Sequence, residues 1–368
     1  MTKVIVGISG GVDSSVAAIL LKEQGYEVEG LFMRNWDSSI NNDILGNPTL
    51  NNNICPQEQD YNDAIEVCKK INIPLHRVDF VKEYWDNVFE YFLKELKKGR
   101  TPNPDIMCNK YIKFDCFVKE AKKLGASFIA TGHYAKMSNG YLCKAKDENK
   151  DQTYFLSQLN AQQLEHVIFP LGDLNKQEVR EIAKKYDLIT ADKKDSTGIC
   201  FIGERHFKDF LTNYLANNEG EVVDIETGKV IGTHNGLMYY TIGQRKGLNI
   251  GGNKERMFVV GKVLSTNTLY VSFGDDSKYL ISDSCIIEEV NFNCELRPTK
   301  CNAKFRYRAS EYPVELEYLN NGKILVKYDA VKAVTPGQAC VFYYGNKCIG
   351  GGIIEEVRKN NKKLWYLL

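Results

Sequence analysis

KVIVGISGGVDSSVAAIL (residues 3–20) decides the fold. Val4 to Ile8 is a short apolar run of the kind that forms a buried strand in a parallel sheet. A Ser9-Gly10-Gly11 turn follows, and then Val16, Ile19 and Leu20 recur at helical spacing. Strand, glycine turn and helix in that order make a phosphate-binding arrangement. Glycines let the backbone approach phosphate oxygens, and the free N–H groups of the helix start point at the anion. The hydroxyls of Ser9, Ser14 and Ser15 add donors, and Asp13 can help hold a magnesium ion. The lysine of a GxxxxGK[ST] loop is missing, so the loop is of another type.

Working outward, Val28 to Arg34, Leu75 to Phe80 and Phe128 to Gly132 read as further strands. Between the last two, Tyr111, Phe114, Phe117, Val118, Ala121 and Leu124 fall at helical spacing. Alternating βα units predict an α/β fold: a doubly wound parallel sheet with ligands at the strand carboxyl ends. Asn41 to Asn53 reads as a mobile surface loop, and a charged turn at 146–150 leads into a mostly helical stretch ending near Leu188. After about His206 the character changes. Residues 221–232, 257–273 and 301–344 carry β-branched and aromatic runs between Gly, Asn and Asp turns, which predicts small all-β units, the last a β-barrel. The expected partition is 1–206, 207–279 and 280–368.

The bulk numbers narrow the class. With 368 residues, 43% hydrophobic and 26% charged, the composition is that of a soluble protein with room for several cores. No apolar run reaches the ~18 residues of a membrane helix. The first residues read as a strand without the length or cleavage site of a signal peptide, so no signal or transit peptide is expected. Eleven scattered cysteines, odd in number and without a CxxC pair, point to a reduced, cytoplasmic chain. A net charge of +1 means that any nucleic-acid affinity comes from local basic patches.

Two cysteines stand apart. Cys108 lies in TPNPDIMCNK (101–110), where two prolines stiffen the approach and Asn103 or Asp105 can cap a helix. A helix start and nearby Lys110 both favour thiolate, and Asp105 is placed to act as a general base. Cys200 lies in DSTGICFIGER (195–205), with glycines on both sides that suggest an exposed, movable loop. Cys68, Cys116, Cys143, Cys285, Cys294, Cys301, Cys340 and Cys348 read as small buried hydrophobes.

The SGGVDS run (9–14) resembles the PP-loop of ATP pyrophosphatases, which bind the β,γ-pyrophosphate and leave AMP on a substrate oxygen. Taken with GISGGVDSS (7–15), FMRNWD (32–37), TPNPDIMCNKYIKF (101–114), ATGHYA (130–135), KDQTYFLSQL (150–159), DSTGICFIGER (195–205), GLMYYTIGQRKGLNIGG (236–252), FRYR (305–308) and AVTPGQACVFY (333–343), the chain resembles the tRNA-specific 2-thiouridylases of the MnmA family almost from end to end. That resemblance implies a PP-loop domain of the adenine nucleotide hydrolase-like type, a small central domain and a C-terminal barrel. It implies ATP and Mg2+ as cofactors, with Gly7, Ile8, Ser9, Gly10, Gly11, Val12, Asp13, Ser14 and Met33 contacting ATP and Gly132 nearby. Asn103, Pro104 and Asp105 would meet the target base. His133, Lys150, Asp151, Gln152, Arg306, Tyr307 and Gln338 would contact tRNA. Cys108 would be the nucleophile and Cys200 the persulfide carrier, charged by a cysteine desulfurase or a sulfur-relay protein. The substrates would be the Lys, Glu and Gln tRNAs. No further metal site is expected.

The chemistry follows. The oxygen on uracil C2 is a poor leaving group; placing AMP on it solves that, and a persulfide then supplies sulfur. Closing a Cys108–Cys200 disulfide needs Cα atoms within about 7 Å, so the Cys200 loop is expected to move on tRNA binding. Lys97, Lys98 and Arg100, Arg245-Lys246, and Lys304, Arg306 and Arg308 at period two along a presumed strand are candidate RNA contacts. The residues alone leave three alternatives open. One is an amide- or lysidine-forming adenylating ligase, another a tRNA- or nucleotide-binding protein without turnover, the third an iron–sulfur protein using both cysteines.

Overall fold

The computed structural model describes residues 1–48, 56–195, 198–199, 202–203, 205–248 and 256–367. Its first layer is a five-stranded parallel sheet. Strand β1 (Lys3–Gly7) lies at the centre between β2 (Glu27–Arg34) and β4 (Phe128–Ala130), with β3 (Leu75–Asp79) at one edge. Val4, Ile5 and Val6 of β1 are fully buried. A strand covered on both faces needs an uninterrupted apolar run, each such side chain contributing ~1.5–3 kcal/mol of burial. Helix α1 (Val12–Glu23) follows β1 directly, and α2 (Pro56–Lys70) joins β2 to β3. The stretch from residue 146 to Leu188 is not mostly helical. It includes strand β7 (Val167–Ile168), which completes the parallel sheet beside β4. Two residues are too few to carry a period.

Between β4 and β7 the chain forms a hairpin, β5 (Lys136–Ser138) with β6 (Tyr141–Cys143). A second sheet pairs β8 (Gly220–Asp224) and β9 (Val230–His234) with β10 (Met257–Val263) and β11 (Thr268–Phe273). The barrel is made of β12 (Ile281–Phe292), β13 (Lys300–Lys304), β14 (Tyr312–Tyr318), β15 (Ile324–Lys332), β16 (Ala339–Tyr344) and β17 (Lys347–Lys359). Its six strands run β12-β15-β14-β13-β16-β17 and close by pairing β17 with β12. Strand β17 also meets β6 at Lys347 and Cys143.

The barrel and the α/β layer share a core: Ala339, Val341, Tyr343 and Ile353 of the barrel pack in one buried cluster with Ile5, Cys108, Tyr154 and Phe210. Among the described residues no helix is long and apolar enough to cross a membrane.

Two expectations change here. The Asn-rich stretch is anchored over 41–48: Asn41 and Asp43 are buried, Asp43 forms a 2.7 Å ion pair with Arg205, and its Oδ2 accepts from Trp36 Nε1 at 3.0 Å. A carboxylate without water requires such partners. Residues 49–53 lie outside the described ones. Strand β13 ends at Lys304, and Arg308 sits at φ 63, so Lys304, Arg306 and Arg308 do not share a strand face.

Candidate nucleotide and sulfur-transfer site

The glycine loop closes on itself. Ser9 N and Ser9 Oγ both lie 3.1 Å from Ser14 Oγ, and Ser15 Oγ donates to Gly11 O at 2.8 Å. Gly10 has φ 71, and a side-chain carbon there would stand 2.1 Å from Asp60 O, so α2 passes where only glycine fits. A carbon on Gly132 would come within 2.7 Å of Ser14 N, which places the end of β4 against the loop. Met33 lies over Gly7, its Cε 3.6 Å from a carbon built there. The residues from Gly7 to Ser14, Met33 and Gly132 are thus one constellation at the carboxyl ends of β1, β2 and β4.

Asp13 lies in the first turn of α1 and is held by two groups. Lys176 Nζ reaches its two oxygens at 2.7 and 2.8 Å, and Tyr134 Oη donates at 2.9 Å. Lys176 also pairs with Asp195 at 2.7 Å, and Asp195 takes Lys150 at 2.6 Å and Arg180 at 3.2 Å. Burial alone would push the Asp195 carboxyl up; hydrogen bonds from Lys150 and Lys176 hold it down at about 2. Lys193 Nζ donates to Gly10 O at 2.8 Å and pairs with Asp60 and Asp63.

Asn103 caps the helix Pro104–Met107, its side chain accepting from Asp105 N at 3.1 Å. Cys108 then begins a wide-turned helical stretch running to Cys116, a spacing often found at functional sites. Cys108 is fully buried, in contrast to the polar surroundings the sequence suggests. Cys200 lies outside the described residues. Of the residues around it that are described, Ile199 pairs with Gly203, and Ile199 and Ile202 pack in the same cluster as Cys108. Cys68, Cys143, Cys285, Cys340 and Cys348 are buried fillers; Cys116, Cys294 and Cys301 are half-buried, and burial pushes the Cys68 and Cys301 thiols up to about 12.

The residues expected to meet RNA divide into two groups. Gln152 and Asp151 brace the backbone: Gln152 Oε1 accepts from Tyr134 N at 3.0 Å, and Asp151 accepts from Ala145 N and Thr153 Oγ1 at 3.1 and 2.7 Å. His133 bonds Thr131 at 2.8 Å, and burial, with the Lys113 charge adding, drives it well below the usual imidazole value. Arg306 donates to Ile242 O and Thr335 Oγ1, both at 2.6 Å. Gln338 donates to Thr101 O at 2.6 Å, and Thr101 N donates to Pro336 O, so the barrel grips the approach to Cys108. Tyr307, by contrast, is half-exposed and packs on the Phe155 ring with centroids 4.3 Å apart, a platform a base could extend.

Residues 2–204 match the family described as tRNA methyl transferase HUP domain, 208–273 its PRC-barrel domain and 282–354 an aminomethyltransferase β-barrel domain. A tRNA-specific 2-thiouridylase MnmA of Mycoplasmopsis synoviae is 59% identical over 366 residues, covering 99% of this chain and 98% of that protein. The chain belongs to the tRNA-specific 2-thiouridylase family. The family member of Mesoplasma florum is 58% identical over 370 residues, covering 96% and 99%. Among solved structures, a 4-thiouridine synthetase–RNA complex with bound ATP has a TM-score of 0.34 and 16% identity, over 54% of this chain and 44% of that one.

Sequence reading did not single out Lys176, Asp195, Lys193 or Tyr134 in this family member. One signal was present. Asn175 and Glu178 form a capping box that starts the helix Lys176–Lys185, and a lysine as first residue opposes the helix dipole unless something recruits it.

Proposed function

We propose that the chain is an ATP-dependent enzyme that thiolates the wobble uridine of the Lys, Glu and Gln tRNAs at C2. The observation that carries this reading is spatial. A strand–SGGVDSS–helix loop stands at the end of the parallel sheet, while Cys108 shares a buried cluster with Ile199 and Ile202 of the DSTGICFIGER run.

Uracil O2 attacks the α-phosphorus of ATP, and the bond to pyrophosphate breaks with its electron pair leaving on pyrophosphate. The loop N–H groups and hydroxyls of Ser9 and Ser14 receive that charge. A magnesium ion would find Asp13 as its carboxylate, the remaining ligands coming from phosphate and water, and would neutralise phosphate charge. Asp13 fits that use, since its carboxylate is one-third exposed at the loop. Asn103, Pro104 and Asp105 orient the base, with Asp105 as general base, and Tyr307 stacks on the RNA. Sulfur reaches Cys200 as a persulfide from a cysteine desulfurase or a relay protein. Its outer sulfur attacks C2 and Cys108 then attacks the Cys200 sulfur, breaking the S–S bond so that the outer sulfur stays on C2, or Cys108 attacks the Cys200 sulfur first and the released hydrosulfide attacks C2. Either route expels AMP and leaves a Cys108–Cys200 disulfide, which a reductant reopens.

The test is thiolation of unmodified tRNA-Lys with ATP, magnesium and a persulfide donor, read by retardation on a mercury-containing gel. Wild type should shift the band, and Cys108→Ala and Cys200→Ala should not. Survival of the shift in either variant would overturn the two-cysteine mechanism. Pyrophosphate release without a shift would favour an adenylating ligase.

A further inference from the structure

The loop is ringed by cations to which the adenylation step as described gives no part. Two helices begin there, α1 at Val12 and the ten-residue helix at Lys176, and the Lys176–Asp13 contact joins their positive ends. Lys176, Lys150 and Arg180 surround Asp13 and Asp195, and Asp147 accepts from Lys176 N at 3.0 Å. Lys176 is only 14% exposed, and two carboxylates take its ammonium. A triphosphate lying on the α1 N-terminus would sit beside the Asp13 carboxylate. A magnesium ion taken by Asp13 would offset the repulsion between these two anions and leave the Lys176 ammonium able to turn toward the phosphate oxygens.

We propose that Lys176 is a pyrophosphate-binding residue of the adenylation step: its ammonium turns from Asp13 to the β,γ-phosphate oxygens, and Asp195 keeps it aimed. This rests on the proposed reading of the loop as a nucleotide site. As O2 attacks the α-phosphorus and the bridging oxygen leaves with the electron pair, Lys176 holds the charge that accumulates on pyrophosphate. Lys176 keeps its own protons throughout. Asp195 is a positioning residue, held ionised by Lys150 and Lys176.

Calorimetric titration of inorganic pyrophosphate and, separately, of AMP into wild type, Lys176→Met, Lys176→Arg and Asp195→Asn tests this. AMP lacks the β,γ-phosphates, so a role confined to them leaves its affinity unchanged. Lys176→Met should weaken pyrophosphate by at least about tenfold, as expected for one charge-assisted contact. Lys176→Arg should recover part of that, and Asp195→Asn should lose an intermediate amount. Wild-type affinity for pyrophosphate in Lys176→Met, equal loss of AMP and pyrophosphate, or no pyrophosphate binding by wild type would each overturn the assignment. A wild type that binds pyrophosphate through Lys176 yet thiolates no tRNA would sink the thiolation reading and leave this one standing.

Discussion

Asp43 has no contact with water, and its carboxylate is neutralised by Arg205, itself only 6% exposed, with the Trp36 indole adding a donor. Arg205 closes the run that contains Cys200, so this pair ties the 37–48 segment to the end of that run. Removing one partner of such a pair strands a buried charge, which costs ~3–5 kcal/mol. Asp43→Ala should therefore lower the unfolding free energy obtained from urea titration by an amount of that order, with a lower midpoint. An unchanged midpoint would show that water or another carboxylate takes over the arginine.

At the scale of elements, the loop depends on α2 passing close behind it. Gly10 adopts φ 71 with Asp60 O where a Cβ would stand, so Gly10→Ala combines a left-handed alanine with a backbone clash. The loop must open to relieve both, and its N–H groups then no longer converge on phosphate. ATP affinity, followed by calorimetry, should fall by at least about tenfold while the circular dichroism spectrum stays unchanged. Retained affinity would mean that the loop, not α2, gives way without harm. Lys193 couples the same two elements, donating to Gly10 O while pairing with Asp60 and Asp63.

For the whole molecule, the approach to Cys108 is held by parts of the chain distant in sequence. Gln338 and Pro336 of the loop before β16 bind Thr101, while Lys262 of β10 donates to Gly99 O at 2.7 Å. Lys262 is almost entirely buried, and that burial pushes its amine down to about 7 from an ordinary 10.5. A base with a lowered folded pKa binds fewer protons in the folded state, so its stability penalty is full below pH 7 and is relieved as pH rises toward 10.5. Between pH 7 and 9 this should add ~2–3 kcal/mol to the stability of wild type relative to Lys262→Met. Urea midpoints of the two proteins at several pH values check it. Parallel pH profiles would show that Lys262 stays charged in the fold.

The parallel sheet and its nucleotide loop were legible because their signals are local: an apolar run, a glycine turn and a helical period within eighteen residues (3–20). The family was legible for the same reason, motif by motif. What the sequence did not disclose is what long-range pairing decides. Asp13 meets Lys176 across 163 positions, Thr101 meets Gln338 across 237, and the Asn-rich stretch is anchored by Arg205 162 positions away. Composition and period describe neighbours along the chain, whereas these contacts arise because a buried charge or backbone group must find a partner wherever the fold brings one. Local signals therefore made the loop, the parallel sheet and the family readable from the sequence. Tertiary structure alone decided which cations surround the loop and that the barrel shares the core beneath Cys108.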